Sequence, residues 1–337
     1  MALVAGGYMN SPPYYIVTAS GAVVDIRPTG VPPGGLSPSA LSNSSVILSR
    51  EPVGFLQPSG AWAELPIPSS PGAMVYGMNS QGQVIGTFQD AHKNDEYVGV
   101  LANPSGTGPV TYTLVSLAEA LAKAGLTGPG TALAINDAGW VLLAGNAATT
   151  YAIVNITNPN EPVVVSSNIP GIDVSTMSNS GWIAGVQFDD DGGGTAFELY
   201  NQADPAAGIF VGDASDLWNA AGAQNAIPPD NLAMTIANVN SSGQMVGTVD
   251  GSGVNGGDVS FGFYWDPENG GQLLTAFGLD MGAVIVATTA ISDAGKIVAT
   301  VQESPGGNTF GVILGPMPRF DPPLPKPVGP VIKPPFP

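Results

Sequence analysis

Asp189, Asp190 and Asp191 stand together in FDDDGGGTAFE, the densest run of carboxylates in the chain. Hard oxygen ligands beside flexible glycines suit a calcium ion. The EF-hand pattern is not met, because its fifth place falls on Gly193 and its twelfth on Tyr200. A second acidic loop, DGSGVNGGD, carries Asp250 and Asp258, and Asp90, Asp95 and Glu96 lie in DAHKNDE. Paired carboxylates could also cleave a glycan, since glycoside hydrolysis needs only two. His92 is the one histidine. It sits in a polar loop with no nucleophile elbow beside it, so a solvated residue is expected rather than a triad base. The chain has no Cys, which removes thiolate catalysis, Cys-ligated zinc and disulfides. No P-loop or dinucleotide fingerprint occurs. The expectation is no catalytic residue and no enzyme. The acidic loops read as a solvated patch, and calcium at Asp189–Asp191 is the one cofactor candidate.

The elements that position these loops repeat. YGMNSQGQVIGTF (76–88), LAINDAGWVLLAG (133–145), STMSNSGWIAGVQF (175–188), IANVNSSGQMVGTV (236–249) and TAISDAGKIVATV (289–301) share one pattern, with a degenerate copy, ALSNSSVILS, at 40–49. Each has apolar residues, Asn or Ser, a polar pair, Gly, any residue, two apolar residues, then a small one. The turn positions are Ser45, Gly82, Gly139, Gly181, Gly243 and Gly295, spaced from 37 to 62 residues apart. That is the length of a four-stranded blade with insertions. Asn79, Asn136 and Asn240 can fold their side chains onto the turn backbone, and the glycines supply a positive φ. The motif residues are therefore read as structural. An aromatic or apolar strand follows each copy, as in VGFL, EYVGVLA, YAIVNI, TAFELY, FGFYWD and FGVILG, with YYIVTA near the start. A further apolar strand follows most of these, as in WAELPI and TYTLVSL.

INDAGWVLLAG and VNSSGQMVGTV, each followed by AFELY or FGFYWD, resemble the HAF family of extracellular repeats over about residues 1–315. The resemblance implies a propeller-like array and an extracellular setting, and it brings no catalytic residues. The expected fold is all-β: a propeller of about seven four-stranded blades, with six as the alternative. The opening ALVAGG resembles the end of a turn motif, so the chain starts and stops partway through a unit, a stagger that lets the termini share a blade. SLAEALAKAGL (116–126), with Ser116 and Glu119 as a capping box, and DASDLWNAAG (213–222) read as helical insertions.

Composition agrees with this class. The 337 residues are 44% hydrophobic and only 10% charged, with 46 Gly and 32 Pro. Many turns with few charged helix faces indicate a β chain. The net charge of −18 opposes a phosphate backbone and an anionic lipid surface, so neither nucleic acid nor membrane insertion is expected. The N-terminus has no basic region ahead of a long apolar run, so no Sec signal is expected.

Residues 316–337 read PMPRFDPPLPKPVGPVIKPPFP, and ten of the 22 are Pro. Such a segment is extended and spans up to about 65 Å at roughly 3.1 Å per residue. It carries Arg319, Lys326 and Lys333 against Asp321 alone, beside a body with 5 basic and 25 acidic residues. Two regions follow: a repeat domain over 1–315 and an arm over 316–337. The arm's Arg319, Phe320, Lys326, Lys333 and Phe336 are the expected contacts to a partner protein. The leading expectation is a non-enzymatic component of a larger assembly, fitting a phage virion as decoration, fibre or tail protein. A secreted bacterial surface protein that binds carbohydrate, and a carboxylate-dependent glycan-cleaving enzyme, are the alternatives.

Overall fold

The computed structural model describes residues 2–4, 14–17, 23–26, 38–41, 47–50, 53–57, 59–65, 74–90, 96–105, 111–117, 122–125, 131–144, 150–156, 163–166, 172–188, 194–201, 204–215, 217, 232–252, 258–274, 283–303 and 307–315. These residues are almost all strand. They fall into two compact units, residues 1–167 and 168–337.

The first unit holds four antiparallel sheets in chain order. They are β1 (Ala2–Val4), β2 (Tyr14–Val17) and β3 (Val23–Ile26); β4 (Pro38–Leu41), β5 (Ile47–Arg50), β6 (Val53–Leu56) and β7 (Trp62–Glu64); β8 (Met74–Met78), β9 (Val84–Asp90), β10 (Glu96–Ser105) and β11 (Thr111–Ser116); and β12 (Thr131–Ile135), β13 (Trp140–Ala144), β14 (Thr150–Asn155) and β15 (Val163–Ser166). The second unit holds three. They are β16 (Ile172–Met177), β17 (Trp182–Phe188), β18 (Gly194–Asn201) and β19 (Asp204–Asp213); β20 (Ala233–Val239), β21 (Met245–Ser252), β22 (Asp258–Asp266) and β23 (Gly270–Leu273); and β24 (Val284–Ile291), β25 (Ile297–Gln302) and β26 (Thr309–Leu314). Every sheet is a meander in which each strand pairs with the next in sequence. The repeated motif is the hairpin between the first two strands of a sheet, and the aromatic segment is its third strand.

Within each unit, successive sheets stack. β8 lies on β4 and β5, and β12 on β8, β9 and β10; in the second unit β20 lies on β16, β17 and β18, and β24 on β20, β21 and β22. The cores form between these faces. Ile85, Val141, Leu143 and Val154 close one, and Met234, Ile236, Val249 and Phe263 another.

A bulge recurs at one register. The first strand carries one extra residue in all six described motif hairpins: Ser39, Tyr76, Leu133, Ser175, Ala237 and Thr289. It always faces the step between the second apolar residue after the turn and the residue that follows, which is small in five of the six, as at Val246 and Gly247, and Leu143 in the other. The degenerate copy at 40–49 has the same bulge, opposite Leu48 and Ser49, so it is a true member of the series. A bulge moves later side chains to the other face. Met234 and Ile236 are buried before Ala237, and Val239 after it.

The described residues cover only part of each expected helical insertion. Ser116 ends β11 and so is no helix cap, while Ala122 and Lys123 are helical and Gly125, at φ 75, bonds back to the Ala122 carbonyl. Glu119 lies outside the described residues. Asp213 ends β19, and the helical Ala214 and Leu217 bury their side chains in the second unit's core. The turn packs onto the sheet because Leu217 fills the space left by Gly271.

Candidate functional site

The motif turns are the most regular polar constellation among the described residues. Gly82, Gly139, Gly181, Gly243 and Gly295 all have φ between 74° and 87°, which a Cβ resists. Each donates its N–H to the carbonyl three residues earlier, at 2.8–3.1 Å. The Asn or Ser at that earlier position caps the turn with its side chain. Asn79 Oδ1 accepts from the amides of Gln81 and Gln83, at 3.1 and 3.0 Å, and Asn240 Oδ1 accepts from Ser242 and Gln244, both at 3.0 Å. Asn136 Oδ1 accepts from Trp140 N–H at 2.9 Å. Where Ser replaces Asn, the hydroxyl oxygen does the same work: Ser178 for Trp182 and Ser292 for Lys296, each at 3.0 Å.

Neighbouring turns are joined to one another by hydrogen bonds. Asn79 Nδ2 donates to the Asn136 carbonyl at 3.2 Å, and Ser80 N–H donates to Asp137 Oδ1 at 2.7 Å. In the second unit Asn240 Nδ2 donates to the Ser292 carbonyl at 3.0 Å, and Ser241 N–H to Asp293 Oδ1 at 2.8 Å. Ser180 Oγ donates to the Ser241 carbonyl at 2.8 Å. Asn79, Asn136 and Asn240 are only 2% exposed, so these partners are obligatory rather than ornamental. Asn240→Ala should therefore cost about 2–3 kcal/mol in urea unfolding, since it orphans two turn amides and the Ser292 carbonyl. Asp293→Ala, at an exposed position, should cost about 0.5–1 kcal/mol. Equal losses would show that the two local caps of Asn240 add nothing beyond one turn-to-turn bond.

A second network hangs from the same turn. Gln244 Oε1 accepts from Asn240 Nδ2 at 2.7 Å, and its Nε2 donates to Tyr264 Oη at 2.9 Å and to Asp266 Oδ2 at 2.8 Å. Tyr264 donates to the same Oδ2 at 3.1 Å. Asp266 Oδ1 accepts from the amides of Glu268 and Asn269 and from Asn269 Nδ2, at 2.8–3.1 Å. Burial pushes the Asp266 carboxyl up, but donors from Gln244, the Glu268 amide, Tyr264 and the Asn269 amide outweigh it and hold the carboxyl below its ordinary value. Burial, then the Asp266 charge and hydrogen bond, push the Tyr264 hydroxyl well above the ordinary tyrosine value. Sequence reasoning missed Asp266. Its signal was DPENG, an Asp two residues ahead of a turn ending in Asn-Gly.

The acidic candidates divide. Asp189, Asp190, Asp191, Asp95 and His92 lie outside the described residues. Asp250 and Asp258 belong to strands rather than to a flexible loop, because β21 and β22 pair as far as Ser252 and Asp258. Asp250 Oδ1 accepts the Ser260 hydroxyl. Asp90 and Glu96 face each other at the ends of β9 and β10. Both pairs thus sit at the second-to-third-strand hairpin of their sheets. Among the described residues, no three metal-ligating side chains converge, and no helix is long and apolar enough to cross a membrane. Arg319, Phe320, Lys326, Lys333 and Phe336 also lie outside the described residues.

No family model matches this chain, and no curated protein matches it. Solved structures do resemble it. A streptogramin B lyase is 14% identical, over 85% of this chain and 83% of that one, with a TM-score of 0.47. The β-propeller domain of Cps50 (Swd1) from Myceliophteria thermophila is 12% identical, over 89% and 91%, at 0.47. Virginiamycin B lyase from Staphylococcus aureus is 10% identical, over 89% and 87%, at 0.45. With enzymes and a non-lyase domain at equal distance, and identities this low, the likenesses assign no activity. What the described residues establish is an all-β chain of successive antiparallel meanders, tied within each unit by hydrogen bonds between repeated turns.

Proposed function

We propose that this chain is a seven-bladed β-propeller with a structural or binding role, displayed on a larger assembly and attached to it through residues 316–337. A phage virion decoration, fibre or tail component is the form of that role we favour. The observation that carries the proposal is the use of the motif's polar side chains. The side chains of Asn79, Ser180 and Asn240 bond the next turn, and those of Asp137 and Asp293 bond the preceding one. The repeated residues hold the fold, so recognition falls to what does not repeat: the hairpin loops and the arm. The seven sheets in chain order support the blade count. The contrast between an anionic body and the arm's Arg319, Lys326 and Lys333 supports attachment by the arm.

Co-sedimentation with particles from the producing cell tests this reading. The full chain should travel with the particle, and deletion of residues 316–337 should abolish incorporation. A chain that stays monomeric in the soluble fraction, or that is incorporated equally well without the arm, would overturn it.

A further inference from the structure

Strand β7 carries an aromatic ring and a carboxylate that the fold leaves unused. It stands last in the order β4-β5-β6-β7, and its register sets which way each group points. Gln57 N–H donates to the Ala61 carbonyl at 2.9 Å, and Leu65 N–H to the Val53 carbonyl at 3.2 Å. Ala61, Ala63 and Leu65 therefore turn their backbone groups toward β6. Trp62 and Glu64, opposite Leu56 and Gly54, turn theirs outward, to an edge that no described strand covers. The side chains alternate too. Phe55, opposite Ala63, is buried with Leu48, Val75 and Val84, so Trp62 and Glu64 share the other face, about 6–7 Å apart along the strand. A Cβ on Gly54 would overlap Cζ2 and Cη2 of the Trp62 ring, so this glycine lets the indole lie against the backbone of β6. Trp62 is half-buried and belongs to none of the described core clusters, while Ala61, Ala63 and Glu64 are exposed. Among the described residues, neither the Glu64 carboxylate nor the Trp62 indole N–H has a hydrogen-bond partner. The other outer strand whose side chains are described, β23, shows only Gly270, Gly271, Gln272 and the buried Leu273.

We propose that this edge docks an extended, basic segment of a partner protein, with an arginine of that segment stacked on Trp62 and paired to Glu64. A guanidinium suits both groups at once. Its plane stacks on an indole face, and its N–H fork donates to a carboxylate beside the ring. Charge argues for a cation over a neutral ligand. Glu64 is exposed, and the chain carries a net charge of −18, so its field draws a basic segment in and repels an acidic one. The outward N–H and C=O groups of Trp62 and Glu64 supply main-chain partners, because an extended backbone pairs with a free strand edge. A second copy of this chain is a poor occupant. Pairing two β7 edges would bring two Glu64 carboxylates onto one joined sheet and no cation with them. The inference does not rest on attachment through residues 316–337; it adds a contact on the repeat domain.

Titration of the full chain with the peptide acetyl-TRTRT-amide, followed by NMR at the indole N–H resonances, tests it. The Trp62 resonance is the one missing from Trp62→Phe. It should shift as peptide is added, and the shift should saturate. At physiological salt, Trp62→Ala should weaken binding about fivefold and Glu64→Gln about threefold. Glu303→Gln removes the same charge at an exposed place just past β25 and should leave binding unchanged. The lysine peptide acetyl-TKTKT-amide should bind more weakly, by about twofold or more. Glu64 is exposed, so Glu64→Gln keeps the test valid even if Trp62→Ala fails to fold. A Trp62 resonance that stays in place, or equal losses in Glu64→Gln and Glu303→Gln, would overturn the assignment. Movement with maltotriose and not with the peptide would replace it by a glycan site. Peptide binding that tightens when residues 316–337 are deleted would replace the partner by the chain's own arm.

Discussion

Gly247→Val should unfold the second unit's core at markedly lower urea, with a loss of about 3 kcal/mol or more. Gly247 follows the motif's two apolar residues and lies opposite the bulge at Ala237. The bulge tips the Thr235 carbonyl over it, so a Cβ there would overlap that oxygen and approach the Phe263 ring to 2.6 and 2.9 Å. The ring is fully buried and the oxygen belongs to the backbone, so neither can yield cheaply. The Gly247 carbonyl also accepts the Thr288 hydroxyl from the next sheet, so a shift would propagate. Gly270→Ala is the control. It sits at φ 79 with no atom within 4 Å of a Cβ, so it should cost only about 1 kcal/mol through backbone strain. Gly86 is built alike, with the Met74 carbonyl over it, and Gly86→Val should behave as Gly247→Val does in the first unit. If Gly247→Val costs no more than Gly270→Ala, the bulge does not enforce the small residue.

That contrast shows what one sequence can and cannot disclose. The turn glycines and their Asn caps were legible because the hydrogen bonds are local, spanning two to four residues. The third strands were legible because FGFYWD and its relatives are continuous aromatic and apolar runs. The small residue after the two apolar ones was visible as a pattern, but its cause was not, since the clash partner Thr235 lies twelve positions earlier and only a bulge brings it close. Bulges also disguise strands. In β24 the buried residues Ile285, Thr288 and Ile291 fall every third place, because two bulges interrupt the alternation. The turn-to-turn bonds stayed hidden for another reason: they join residues 52 to 61 positions apart, and Asn in one copy is replaced by Ser in another. Ser116 misled because its Ser-to-Glu spacing is a cap signal only if a helix follows at once, and β11 ends on Ser116 with Leu117 in a bend.

Asp266→Ala should destabilise the chain by about 2–4 kcal/mol, because it removes the acceptor for five donors around one buried carboxylate. The sharper expectation concerns pH. The folded carboxyl is held below its ordinary value, so the unfolded chain binds the proton first as pH falls. Asp266 thus contributes stability that is fully present above the ordinary carboxylate range and is lost as pH drops through it toward the folded value. Tyr264 has the opposite limb. Its folded hydroxyl is raised, so its contribution is complete below the ordinary tyrosine value of about 10 and is lost as pH rises past it. Unfolding by urea between pH 3 and 11 separates the two. Asp266→Asn should flatten the acid slope relative to the unaltered chain, and Tyr264→Phe should flatten the alkaline one at a cost of about 1 kcal/mol near neutrality. The comparison with the unaltered chain matters because the chain has 26 acidic residues, whose shared acid response cancels in the difference. An acid slope identical in Asp266→Asn and the unaltered chain would mean that Gln244, Tyr264 and Asn269 do not favour the charged carboxylate. The network would then be a packing cluster, and the link it makes from the Asn240 turn to the third strand would carry no charge-dependent stability.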